Sequence, residues 1–187
     1  MSALAKEQLH TISDIERLSE GERAELIDGL LYDMAAPSVI HQRLVMQISG
    51  EINNHIRRNK GTCQVFPAPF AVYPFGMEDV YNYLEPDITL VCDPDKLKNQ
   101  KGCSGSPDWI IEIVSPSSIE HDYYRKLLLY QAAGVREYWI VNPMEEKVSV
   151  YVFAPHSSYK LYTFQETIPV SVFPDFHLNI RELLPAV

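Results

Sequence analysis

The 187 residues form most simply a single domain, 1–187, long enough to bury a core of its own. With 16 basic against 25 acidic residues the formal charge is −9, so the chain as a whole repels phosphate. No stretch approaches the roughly 18 apolar residues of a membrane-spanning helix, and the opening MSALAKEQLHTISDIE lacks a signal-peptide core, which predicts a cytoplasmic protein.

Cys63, Cys92 and Cys103 are odd in number and widely spaced, which suits neither a disulfide framework nor a zinc site. They read as buried or loop thiols in a reducing compartment. No HxxxH or HExxH pair occurs, so zinc is disfavoured.

In chain order, Ser13-Asp14-Ile15-Glu16 has capping-box spacing and predicts a short helix. Residues 24–34, AELIDGLLYDM, place Asp28-Gly29 between two apolar runs, a strong hairpin signal. Ser38 can cap a helix whose stripe is Ile40, Leu44, Val45, Ile48, Ile52 and Ile56, and Gly61 can take its left-handed end. Residues 62–74 look extended, and Pro67 and Pro69 confine them to an edge or bulge. Ile88 to Val91 and Trp109 to Val114 are buried-strand runs, separated by a polar surface loop from Asp93 to Ser106. A second capping box at Ser117-Ser118-Ile119-Glu120 opens a helix that Gly134 stops near Ala133. Glu137 to Asn142 is a further strand, Val148–Phe153 and Tyr159–Phe164 form a hairpin, and Ile180 to Leu184 makes a helical turn. Alternating helices and strands with hairpins at both ends predict an α/β sandwich around a mixed sheet. Two basic clusters, Arg57, Arg58, Lys60 and Lys96, Lys98, Lys101, read as solvated charges, with a phosphate track as the other reading.

The chemistry concentrates between Glu85 and Pro143. Two Pro-Asp pairs compete as partner of Glu112. Asp108 precedes it by four residues on one strand, roughly 13 Å away, too far to share an ion whose oxygen ligands lie at about 2–2.5 Å. Asp87 belongs to another strand, where pairing can bring side chains to about 5 Å, so Asp87 and Glu112 are the candidate ligands and Asp108 shapes a turn. Glu112 sits among Ile110, Ile111, Ile113 and Val114, a costly place for a carboxylate without a cation or donors. Helical steps of about 100° put Ile119, Tyr123, Lys126, Leu127, Tyr130 and Ala133 on one inward face. Lys126 lies in its middle, with Asp122 one turn earlier.

The run PD…E-I-V-S-P-S-S…D-x-x-x-K…Y-x-x-x-G-V-x-E-Y-W-I-V-N-P resembles the Uma2-type family of "putative restriction endonucleases", within the PD-(D/E)XK nuclease superfamily. The resemblance extends from Glu25 to about Pro143 and implies a restriction-endonuclease-like α/β sandwich, a central mixed β-sheet flanked by helices. It implies Asp87 and Glu112 as magnesium ligands, with manganese as a substitute, and Lys126 as the catalytic lysine. The superfamily lysine usually stands two residues after the acid. Val114 occupies that position here, so the helix must supply the lysine. Glu25 in ELIDG matches the family's N-terminal acid, with an exposed hairpin charge as the other reading. His41 also matches, with a helix-cap or packing role standing beside substrate contact.

Two main functions follow, with a metal-dependent enzyme acting on a smaller phosphate ester as a weaker third. One is a magnesium-dependent endodeoxyribonuclease, with Asp122 holding Lys126 and a homodimer formed through Leu128 and the C-terminal strands. The other is a non-catalytic binding or assembly protein that keeps the fold, favoured by the net charge of −9.

Overall fold

The computed structural model describes residues 9–116 and 118–184. Its strands are β1 (Ala24–Ile27), β2 (Leu30–Asp33), β3 (Gln64–Pro67), β4 (Val72–Tyr73), β5 (Ile88–Val91), β6 (Cys103–Ser104), β7 (Trp109–Ile113), β8 (Glu137–Asn142), β9 (Lys147–Val152), β10 (Ser158–Thr163), β11 (Ile168–Pro169) and β12 (His177–Leu178). The helices are α1 (Ile12–Ile15), α2 (Val39–Arg58) and α3 (Lys126–Ala133), the last entered through a π-helical turn, His121–Arg125.

Six strands form one mixed sheet in the order β10-β9-β8-β7-β5-β3. Within it β7 and β8 run parallel and the other pairs antiparallel. A parallel pair needs a crossover, and the segment between β7 and β8 supplies it as the π turn and α3. The sequence prediction of an α/β sandwich with a central mixed sheet is met. On one face Leu44, Ile48 and Ile52 of α2 pack with Trp109, Ile111, Trp139 and Val141. On the other, Leu129 and Tyr130 of α3 meet Ile110, Tyr138 and Ile140, with Ile27 of β1 beside them. Strand alternation decides this partition, because odd and even residues of β7 point to opposite faces.

Local chemistry explains most boundaries. Asp28 (φ 50°) and Gly29 (φ 79°) both take positive φ, as a type I′ hairpin turn demands. Ser38 caps α2 by accepting from the His41 backbone N–H at 3.3 Å. The α2 C-terminus differs from expectation. Lys60, not Gly61, is left-handed (φ 51°), and the Gly61 N–H reaches back to the Ile56 carbonyl at 2.9 Å. At α1 the cap is Thr11 rather than Ser13, because the Asp14 carboxylate returns to the Thr11 N–H at 2.8 Å. The cap expected at Ser117 lies outside the described residues. Pro67 closes β3, an edge strand, as proline's missing donor requires.

Two further expectations are corrected. Gln64 pairs with Val91, so Cys63 faces Cys92 one step further along, and the two form a disulfide rather than free thiols. Linear spacing could not show this, because the strand register creates the proximity. Cys103 remains free, its thiol pushed up to about 12 by burial. The loop from Asp93 to Ser106 is not wholly superficial: β6 pairs with β4, and Cys103 is fully buried.

The β1–β2 turn sets where Glu25 points. A Cβ on Gly29 would add a left-handed L-residue and come within 3.0 Å of Leu9. Gly29→Ala should therefore lose about 1–2 kcal/mol of stability, read as a lower urea midpoint with unchanged slope.

Candidate active site

The site is assembled by one register and one crossover. β5 and β7 are antiparallel with Ile88 opposite Ile111, so Asp87, one step before β5, faces Glu112. The two acids interlock through backbone donors. The Asp87 N–H donates to Glu112 Oε2 at 3.2 Å, and the Ile113 N–H donates to Asp87 Oδ2 at 2.7 Å. Asp108 stays apart, accepting from the Cys92 N–H at 2.8 Å and from Arg136 at 3.0 Å at the start of β7.

The crossover brings Lys126 onto this pair. Its Nζ lies 2.9 Å from Glu112 Oε1, 2.7 Å from Glu25 Oε2 and 3.6 Å from Asp122 Oδ1. Glu25 is therefore a member of the cluster and not an exposed hairpin charge. Its other oxygen accepts from the Glu85 N–H at 3.0 Å, which fixes it against the connection into β5. The inward face of the helix differs from the periodic expectation: Asp122 is buried, whereas Ile119 is 42% exposed. A π turn holds more residues per turn than an α-helix, so His121–Arg125 rotates the face before Lys126.

Several partners were not assigned to the site from sequence. The Tyr130 hydroxyl donates to Glu112 Oε1 at 3.0 Å, and the Tyr138 hydroxyl donates to the Asp122 carbonyl at 2.9 Å. Tyr130 was detectable in principle, since it lies i,i+4 from Lys126 on the inward face. His41 does not cap α2 with its ring. Its Nε2 is 3.1 Å from Asp87 Oδ2, while its buried Nδ1 has no partner among the described residues.

The cluster holds four carboxylates, Glu25, Asp87, Glu112 and Asp122, against the one ammonium of Lys126. Burial pushes the Glu112 carboxyl well up, and neighbouring Asp87, Asp122 and Glu25 add to this against the opposing pull of Lys126. Burial likewise raises Asp122, again against Lys126. For Lys126 burial favours the neutral amine, but Glu112, Glu25 and Asp122 outweigh it and hold the ammonium well above the usual lysine range. Glu25, Glu112, Asp122 and Lys126 have side chains no more than 7% exposed, whereas Asp87 and His41 reach 15% and 13%. Access from solvent is therefore by the Asp87–His41 side.

A hard divalent cation fits this donor set. Among the described residues no three His, Cys, Asp or Glu side chains converge as a complete metal cage. Magnesium does not require one, since it keeps several waters and binds through one or two carboxylates plus substrate phosphate. Asp87 Oδ1 accepts no hydrogen bond among the described residues, and the surplus of buried negative charge is what a cation would relieve.

Removing the ammonium leaves these carboxylates uncompensated, so Lys126→Met should destabilise the fold by about 3–5 kcal/mol. Raised carboxyls at Glu112 and Asp122 mean that the folded state binds more protons than the unfolded chain above the ordinary carboxylate range. The stability of metal-free protein should accordingly fall as pH rises from mildly acidic toward neutral, and Glu112→Gln should flatten that slope. Thermal unfolding across pH in chelator checks both; an unchanged profile in Glu112→Gln contradicts the assignment.

Comparison with known proteins gives the family and the fold. The family profile described as "Uma2: Putative restriction endonuclease" matches residues 7–181. An uncharacterized protein of Synechocystis sp. is 25% identical over 131 residues, covering 70% of this chain and 66% of its own length, just under two thirds. A crystal structure from Anabaena variabilis, described as a putative nuclease belonging to DUF820, superposes with a TM-score of 0.73 at 22% identity. The match covers 92% of this chain and 96% of that one, and shows a shared fold. The profile match spans nearly the whole sequence, and the chain belongs to the Uma2 family.

Proposed function

We propose that the chain is a divalent-metal-dependent endodeoxyribonuclease that hydrolyses DNA phosphodiester bonds. The observation that carries this reading is the buried Lys126 ammonium within 2.9 Å of both Glu25 and Glu112, with Asp87 opposite Glu112 on the next strand. The family's description as a putative restriction endonuclease supports DNA as the substrate.

Asp87 and Glu112 would hold magnesium, or manganese in its place. When bound, the ion supplies a water nucleophile at neutral pH and Lewis-acid stabilisation of the phosphoryl oxygens. Lys126 is held as an ammonium, so it acts through its positive charge on the attacked phosphate and not as a proton acceptor. Glu25 and Asp122 fix that ammonium from two further sides, which confines a flexible side chain to one position. Tyr130 orients Glu112 by its hydroxyl. His41 Nε2–H and the Ile113 N–H both hold Asp87 Oδ2, and Oδ1 accepts no hydrogen bond among the described residues.

A second reading, a binding protein that keeps the fold without catalysis, rests on the net charge of −9. Nicking of supercoiled plasmid separates the two. Wild type should nick with magnesium or manganese and not in chelator. Asp87→Asn and Glu112→Gln should abolish nicking, and Lys126→Met, where it folds, should lose about 100-fold or more. Equal nicking by all preparations would expose contamination and leave the binding reading in place.

A further inference from the structure

Beyond the carboxylate cluster, the face of β3 and β5 that bears Asp87 continues into a second feature. Side chains two residues apart on a strand share a face and lie about 7 Å apart. Thr89 follows Asp87 on that face, with Phe66 opposite it, and Val91 follows with Gln64 opposite. Phe66 and Phe70 stack nearly parallel, ring centroids 4.1 Å apart and planes within 5°. Together with Gln64, Lys98, Gln100 and Lys101 they line a cavity of about 470 Å³.

The lining is unusual for this molecule. The protein carries 25 acidic residues, yet no Asp or Glu is among the described residues lining this cavity. Two of the three lysines noted as a local basic cluster converge on it. The third, Lys96, is engaged elsewhere, donating to the Ser106 carbonyl at 2.6 Å. Lys98 meets only the exposed Asp95 at 2.9 Å, and Lys101 forms no ion pair among the described residues. The other basic cluster differs: Arg57 and Arg58 line an open hollow of about 430 Å³ that also contains Glu51.

An apolar aromatic platform, two amides and two ammonium groups match one ligand chemistry, a nucleotide within a DNA strand. Bases stack on aromatic rings without sequence preference, and lysines follow the backbone phosphates. We infer that this cavity is an accessory subsite for DNA flanking the cleaved bond, a base against the Phe66–Phe70 stack and phosphates on Lys98 and Lys101. This rests on the nuclease reading for its substrate. It gives an acidic protein a local route to a polyanion along the same sheet face as Asp87.

The test is fluorescence anisotropy of a labelled single-stranded oligonucleotide in chelator, over a range of salt, with plasmid nicking measured on the same preparations. Lys98→Glu combined with Lys101→Glu should weaken binding and lower the salt slope by about 1.4, the share of two single-strand phosphates. Phe70→Ala should weaken binding about tenfold or more with the slope kept. Arg57→Glu with Arg58→Glu should bind as wild type. Equal binding by the lysine variant and wild type at every salt concentration would overturn the subsite, and with nicking intact the nuclease reading would survive it. Wild type that never nicks but binds, with binding weakened in the lysine variant, would keep the cavity as a DNA site and remove the catalytic reading. Wild type that neither binds nor nicks would overturn both. Competition by free deoxynucleotide as strong, per nucleotide, as by oligonucleotide would assign the cavity to mononucleotides and overturn the strand subsite.

Discussion

One ammonium among three buried carboxylates and a fourth, half-buried one is the constraint on which the rest of this structure depends. Lys126 lies within 3.6 Å of Glu25, Glu112 and Asp122, and Asp87 lies across the strand pair from Glu112. Such a group is stable only if every member is met by a donor or a countercharge, because an unpaired charge in this environment costs several kcal/mol. The backbone N–H groups of Glu85, Asp87 and Ile113 and the hydroxyl of Tyr130 supply those donors. They do not remove the surplus negative charge, which a bound cation would relieve.

The fold exists to bring these groups together from distant parts of the sequence. The β1–β2 hairpin contributes Glu25, the antiparallel β5–β7 register sets Asp87 against Glu112, and the parallel β7–β8 step forces the crossover that carries Asp122 and Lys126. The π turn before α3 then places Asp122 and Lys126 inward together while Tyr124 and Leu128 face solvent. The N-terminus of α2 closes the cluster from the other side through His41.

Much of this was legible in the residues. The Pro-Asp before an apolar run, a glutamate within an apolar strand and a lysine on an apolar helix face each violate the usual partition of charge, and the three converge in space. Strand geometry was sufficient to prefer Asp87 over Asp108. The unread parts depend on register or on backbone irregularity. The Cys63–Cys92 bridge follows from which residues face each other across β3 and β5. The burial of Asp122 in place of Ile119 follows from a π turn that a uniform helical period cannot represent. The destination of the His41 ring needed the packing of α2 against Asp87, which no spacing encodes.

The central claim is that Asp87 and Glu112 together bind a divalent cation beside Lys126. Titration calorimetry of manganese into metal-free wild type, Asp87→Asn and Glu112→Gln addresses it directly, without reference to any nucleic acid. Saturable binding by wild type that each substitution weakens severely, with both variants folded, is the predicted result. Wild type that binds no cation, or an Asp87→Asn protein that binds manganese as wild type does, would contradict the account.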